Sequence, residues 1–209
     1  MIGLLSLTRV AWSGDLQPIA LPAPRMEGGK PLMEALKARK TNREFSRVAL
    51  PAQVLADLLW AGNGINRPEI AHRTAPSTMN SQEIDIYVAM AEGAYVYDAK
   101  NNRLAPVVAG DLRAKTGGQD FVKVAPVALI FVADLSRLTK VKPEDKERYA
   151  TIDAGYISQN IYLYCASAGL ATVVHDLDRK TLPEALRLKS DQLIIMAQAV
   201  GYPKTAAAK

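Results

Sequence analysis

The apolar positions of this chain change period several times, and each change marks an element. Between Pro51 and Gly64, the residues Val54, Leu55, Leu58 and Leu59 recur at helical spacing, with proline where a first turn tolerates it and glycines closing the run. A shorter run after Pro31 puts Leu32, Met33 and Leu36 on one face and ends near Arg39 or Lys40. Ile84, Ile86 and Val88 then alternate with polar or small residues, the period of a strand. Residues 93–108 read as a hairpin turning at Asn101-Asn102. The run Val127-Ala128-Leu129-Ile130-Phe131-Val132 has no polar side and predicts a strand buried on both faces at the sheet centre. From 151 to 168 helical spacing returns: Ile152, Tyr156, Ile157, Ile161, Tyr164, Cys165 and Ala168 form one side, with Asp153, Asn160 and Ser167 opposite. Gly169 ends that helix, and a strand at 171–174, a helix at 182–186 and a strand at 193–200 complete the pattern.

Two stretches break the periodicity. Residues 15–31 hold Pro18, Pro22, Pro24, Gly28, Gly29 and Pro31, which exclude regular helix or strand and predict an extended arm of the kind that wraps a partner subunit. Residues 68–82, rich in Pro, Ser, Thr and Asn, predict a loop.

A chain of 209 residues accommodates one α+β domain, and 49% apolar with 22% charged residues supplies a real core. The domain is expected over 31–204, with an N-terminal arm at 1–30 and a tail at 205–209. The net charge of +5 is spread, and the 142–148 run interleaves both signs as a solvated face does. With only 6% aromatic residues and no basic stripe, nucleic acid is not an expected partner; a small phosphate-bearing ligand fits better. Cys165 is the sole cysteine, and His72 and His175 lie far apart, so neither a disulfide nor a metal site is expected. No apolar run reaches the roughly 20 residues that span a bilayer. The apolar stub at 1–7, followed by Ala11-Trp12-Ser13, has no preceding cation and reads at most as the remnant of an export signal. The expected location is cytoplasmic, or periplasmic should that remnant be real.

Candidate chemistry sits in the polar segments. Arg39-Lys40-Thr41-Asn42-Arg43 ends a helix with three cations and a hydroxyl, a set able to grip a phosphate, although cations also suit a helix C-terminus for electrostatic reasons alone. The stretch from Arg73 to Gln82 presents Ser, Asn and Gln groups that suit a polar heterocycle. Continued through Glu44-Phe45, the first segment resembles the Arg-Arg-Ser-x-Arg-x-Phe element of the nitroreductase superfamily. Ala75-Pro76-Ser77-x-x-Asn80-Ser81-Gln82 is similar to its Pro-Ser-x-x-Asn-x-Gln loop. Ala125-Pro126-Val127, Ala168-Gly169-Leu170-Ala171-Thr172 and Val200-Gly201-Tyr202-Pro203 follow in the family's order, and the Arg73–Ser77 context looks closest to the azoline-dehydrogenase-like branch.

The resemblance implies a mixed, mostly antiparallel sheet flanked by helices, in a homodimer that binds FMN between subunits. It implies that Arg39, Thr41 and Arg43, with Lys40, hold the phosphate. Asn80 and Gln82 address the flavin ring, Pro76, Ser77 and Thr78 approach it from the partner subunit, and Val174, His175 and Asp176 run along it. A further cation that relatives place beyond Gly-Tyr-Pro is here replaced by Lys204, and Glu83 stands where relatives often have proline. The implied activity is an oxidoreductase passing hydride from NAD(P)H through flavin N5 to a small electrophilic acceptor, such as a nitroaromatic or quinone, by a ping-pong cycle. No side chain is assigned a catalytic role, since the cofactor carries the chemistry. A flavin dehydrogenase with another donor and a non-catalytic flavin-binding protein are the alternatives. His175 could relay a proton beside a flavin but is read as structural; Tyr156, Tyr162 and Tyr164 could stack on substrate, with core or dimer packing the default for at least two of them, and Phe121 lies in a region that covers substrate in relatives.

Overall fold

The computed structural model describes residues 16–204, so the possible export remnant and the tail lie outside the described residues. Its frame is a seven-stranded sheet in the order β1-β6-β5-β4-β7-β9-β8, with every pairing antiparallel. The strands are β1 (Ile19–Ala20), β4 (Ile84–Ala89), β5 (Gly93–Asp98), β6 (Arg103–Ala109), β7 (Val127–Asp134), β8 (Ala171–His175) and β9 (Gln192–Gly201). The continuous apolar run is β7, held between β4 and β9 and buried on both faces as its composition requires.

One face of the sheet is covered by α2 (Ala52–Asn63) and α3 (Lys146–Ala168), which close over Ile86, Val88, Leu129 and Phe131. Gly62 lets the two helices approach, because a Cβ there would lie 3.0 Å from Ile161 Cγ1. The opposite face packs Ile130, Val132 and Ile194 under Leu177, Leu182 and Leu186, the last two from the region of α4 (Leu182–Ala185). These two apolar layers supply most of the drive to fold, each fully buried aliphatic side chain contributing about 1.5–3 kcal/mol.

The structure departs from the sequence reading in four places. Helix α3 begins at Lys146, inside the charged run taken as surface, because Lys-Glu-Arg are good helix formers and need no apolar stripe to start a turn. Its faces are also rotated: Asp153 is buried, whereas Ile152 and Tyr156, assigned to the core side, are exposed. Residues 65–82 are more ordered than a loop, with β2 (Ile65–Arg67) pairing with β3 (His72–Arg73) and a 3-10 turn at Thr78–Asn80. The arm carries β1, whose Ile19 and Ala20 pair with Leu104 and Arg103. In α1 (Leu32–Ala38) only Ala35 is buried; Leu32, Met33 and Leu36 face outward.

Candidate functional site

Strand β8 is a sheet edge, and its outward backbone groups are taken by partners that are not strands. Thr172 O accepts the N–H of Asn42 at 3.0 Å, and the Val174 N–H donates to the hydroxyl of Tyr162 at 2.9 Å. These bonds draw segment 41–46 and the last turns of α3 around a cavity of about 420 Å3, lined by Lys40, Asn42, Tyr162, Cys165, Thr172 and Pro203 among others. The end of the described chain clamps the same segment: Ser46 N–H donates to Tyr202 O, Lys204 N–H donates to Glu44 O, both at 2.9 Å, and Phe45 pairs with Pro203. Gly201 is what lets the chain pass here, since a Cβ at that position would stand 2.5 Å from Pro126 Cδ.

Cations gather at this cavity without acids. Lys40 lines it, the Arg39 guanidinium sits 5.5 Å from the centre of the Tyr162 ring, and Arg43 and Lys204 belong to the two clamped segments. Among the described residues none of the four is ion-paired with a carboxylate, whereas Arg25, Arg103, Arg113, Arg137, Arg148 and Arg179 all are. Thr41 Oγ1 lies 3.5 Å from the Tyr162 hydroxyl. Unpaired cations and a hydroxyl beside a cavity of this size have the chemistry that a phosphorylated small molecule requires.

Tyr162, weighed from the sequence as a stacking or packing residue, instead holds the edge of β8 through its hydroxyl, a role no sequence signal marks. It stands apart from the buried Ile157, Ile161 and Cys165 stripe, and that offset turns it toward β8. Changing it to phenylalanine leaves the ring under Arg39 but strips the Val174 N–H of its acceptor. The expected cost is about 1 kcal/mol of stability in urea unfolding at unchanged m-value, and a loss within a few tenths would show that another acceptor replaces the hydroxyl. The other two tyrosines divide: Tyr156 is exposed, and Tyr164 packs against the core, where burial pushes its phenol up to about 12.

His175 is buried under Phe121, ring centroids 5.8 Å apart, on the face opposite the one where Thr172 meets Gln198 below α3. Burial pulls its pKa below the ordinary value, so the imidazole is neutral, with Nδ1 placed 3.0 Å from Asp176 O and Nε2 without a partner. Its ring points away from the cavity, in keeping with a packing role.

The loop 76–82 lies further along α3, facing its first half. Met79, Asn80 and Gln82 have φ of 51°, 55° and 49°, a left-handed conformation that costs non-glycine residues and has to be held in place. Ser77 Oγ accepts the Gln82 N–H at 3.0 Å, and Asp153 Oδ2 accepts the Thr78 N–H at 2.6 Å. The Gln82 amide is committed within the loop: it accepts from Arg73 Nε and donates to Ala71 O and Asn80 Oδ1. Asn80, Met79 and Pro76 are exposed.

A model of the nitroreductase family matches residues 36–202. The chain belongs to the nitroreductase family. A candidate nitroreductase of Methanocaldococcus jannaschii is 30% identical over 194 residues, which cover 88% of this chain and 96% of that protein. The crystal structure of a candidate nitroreductase from Ralstonia eutropha JMP134 superposes with a TM-score of 0.87 at 42% identity, covering 98% of this chain and 97% of that one. A candidate nitroreductase from Desulfovibrio desulfuricans, solved in complex with FMN, shares the fold at a TM-score of 0.60 and 21% identity, over 87% of this chain and 92% of that one.

Within this nitroreductase-family chain, the structure brings Arg39, Lys40, Thr41, Val174 and Lys204 to one edge, with Arg43 on the same clamped segment. Pro76, Ser77, Thr78, Asn80 and Gln82 do not join that cavity. Asp153, which holds Thr78, is nine residues from Tyr162 on α3, about 14 Å along the helix axis. Asp176 is exposed beyond β8 and paired with Arg179. No group of three metal-binding side chains and no helix fit to cross a membrane occurs among the described residues.

Proposed function

We propose that the protein is an FMN-dependent oxidoreductase that uses NAD(P)H as donor and reduces a small electrophilic acceptor, nitroaromatic or quinone in type, with both substrates using one cleft in turn. The observation that carries this reading is the pair Lys40 and Arg39 without acid partners at the Tyr162 cavity, with Arg43 and Lys204, also without acid partners, on the two segments clamped beside it. FMN, when bound, supplies the hydride chemistry, and the residues present fit it. Arg39, Thr41 and Arg43, aided by Lys40 and Lys204, hold the phosphate. The backbone of Val174, His175 and Asp176 offers donors and acceptors along the ring.

We further propose a homodimer. The exposed apolar side chains Leu32, Met33 and Leu36 on α1, and Ile152 and Tyr156 on α3, are surfaces a second copy could cover. The separation of the 76–82 loop from the cavity, anchored at Asp153 about 14 Å along α3 from Tyr162, is what a contribution of Pro76, Ser77 and Thr78 from that copy accounts for, with Asn80 and Gln82 ordering the ring-side surface. The FMN complex of the Desulfovibrio desulfuricans relative supports the cofactor. A chain of the Escherichia coli microcin synthetase complex shares the fold at a TM-score of 0.69 and 16% identity, covering 96% of this chain and 79% of that one. The azoline-dehydrogenase-like branch rests on the Arg73–Ser77 context beside that shared fold.

The test is the visible spectrum after incubation with FMN and desalting, followed by anaerobic titration with NADH and NADPH. A retained spectrum that bleaches with one of them is expected, with parallel double-reciprocal lines in steady-state rates. Retained but unbleached flavin would transfer the proposal to another donor or to flavin storage, and a folded protein that retains none would end it.

A further inference from the structure

Glu83 and Asp153 are the two most deeply buried carboxyls among the described residues, at 0% and 2% exposure, and they face each other behind the 76–82 loop. Neither Glu83 oxygen has a hydrogen-bond donor. The charges around the pair are few. Asp153 approaches from α3 and Arg137 from the 3-10 turn after β7, but the Arg137 guanidinium is already engaged by Asp85 at 2.7 Å and by Asp134. Arg73, on β3, is committed to Gln82 and to Asn63 O. From the neighbouring strands only backbone reaches Glu83, where its own carbonyl accepts the Asp134 N–H.

Two ionised carboxylates cannot share such a place, because each has been stripped of water and repels the other. One proton resolves the conflict by turning a repulsion into a hydrogen bond. The Thr78 N–H already donates to Asp153 Oδ2 at 2.6 Å, whereas neither Glu83 oxygen has a donor, so the shared proton belongs on Glu83. Burial, and then the Asp153 neighbour, push the Glu83 carboxyl up to about 7 from its ordinary 4.5.

The loop needs this anchor. With three left-handed residues in four positions, it is held in its path by the Ser77 bond, by Arg73 and Arg137 on Gln82, and by the grip of Asp153 on Thr78, the one of these contacts that a carboxylate makes. We propose that Glu83 and Asp153 form a one-proton acid pair that positions the 76–82 loop, so that loss of the Glu83 proton loosens the Thr78 anchor. Glu83 is thus a positioning residue for the surface that meets the flavin ring, a role that rests on the FMN reading above.

The sign of the pH effect follows from the raised carboxyl. Its stabilising contribution is complete below 4.5 and is lost as pH rises through about 7. Over that window the folding constant of the wild type should fall by roughly 300-fold more than that of Glu83→Gln, which carries a permanently neutral donor. His175, buried and neutral, titrates in the opposite sense in both proteins, so the difference between them is the quantity to read.

The experiment uses the full chain without added flavin: hydrogen–deuterium exchange of the 76–82 segment, corrected for intrinsic rates, from about pH 6 to about pH 8.5, beside urea unfolding from about pH 4.5 to about pH 7. Wild-type exchange is expected to accelerate as pH rises, Glu83→Gln to stay at the wild-type low-pH level throughout, and Asp153→Asn to exchange fast at every pH. Matching pH profiles for wild type and Glu83→Gln would overturn the proposal, whether or not Asp153→Asn folds. FMN titrations then separate the two readings. A wild-type Kd that rises with pH, by at most tenfold per unit, and is flat in Glu83→Gln supports both. If no FMN binds while exchange behaves as expected, the acid pair stands and the cofactor reading fails; FMN bound with identical profiles in both proteins does the reverse.

Discussion

Changing Arg39 and Arg43 together to glutamine is expected to weaken FMN binding by roughly 10²- to 10⁴-fold while leaving the protein folded. The magnitude comes from two charge-assisted contacts of about 1.5–3 kcal/mol each, at about 1.4 kcal/mol per factor of ten. The fold should survive because Arg43 is exposed and Arg39 covers one side of a tyrosine ring without an acid partner that its removal would strand. The same pair of changes should flatten the salt dependence of binding, since exposed cations act through a field that salt screens. Fluorescence titration of the variant at low and high salt reads both effects, and an affinity within threefold of wild type would remove these arginines from the phosphate site.

Phe131→Ala should produce the largest loss of stability. The side chain is fully buried on β7, between its register partners Ile86 and Met196 and beneath the helical layer. Removing it takes away transfer energy and leaves a cavity that two-sided packing cannot close, a combined cost of about 3–5 kcal/mol. For a chain of this size that lowers Tm by roughly 6–20 °C, measurable by calorimetry. A loss below about 1 kcal/mol would mean that α3 settles onto the sheet and fills the space.

The elements whose periodicity is set by one buried face were readable in the sequence, as β4, β7 and α2 show. What stayed hidden were contacts that cancel a local signal. Asp153 falls opposite the apparent apolar stripe of α3, yet it is buried and accepts the Thr78 N–H, a partner that helical spacing cannot reveal. Ile152 and Tyr156 look like core and are exposed, because apolar side chains at helical spacing do not by themselves say which side of the helix the sheet covers. Segment 39–45 was legible as a motif, but its clamp against 202–204 was not, since it depends on β9 ending beside Pro126. Tyr162 was hidden for a related reason: its function is to satisfy the edge of β8, and edge strands are not marked in the sequence.

The treatment of the two sheet edges bears on how this protein behaves when concentrated. At one end the arm lays β1 over β6, and the remaining stretch of β6 is interrupted by Pro106, which has no N–H to offer. At the other, Asn42 and Tyr162 occupy outward groups of β8. A second molecule therefore finds no long run of bare ladder on which to add a strand, and crowding favours contact through side-chain faces over the growth of intermolecular sheets.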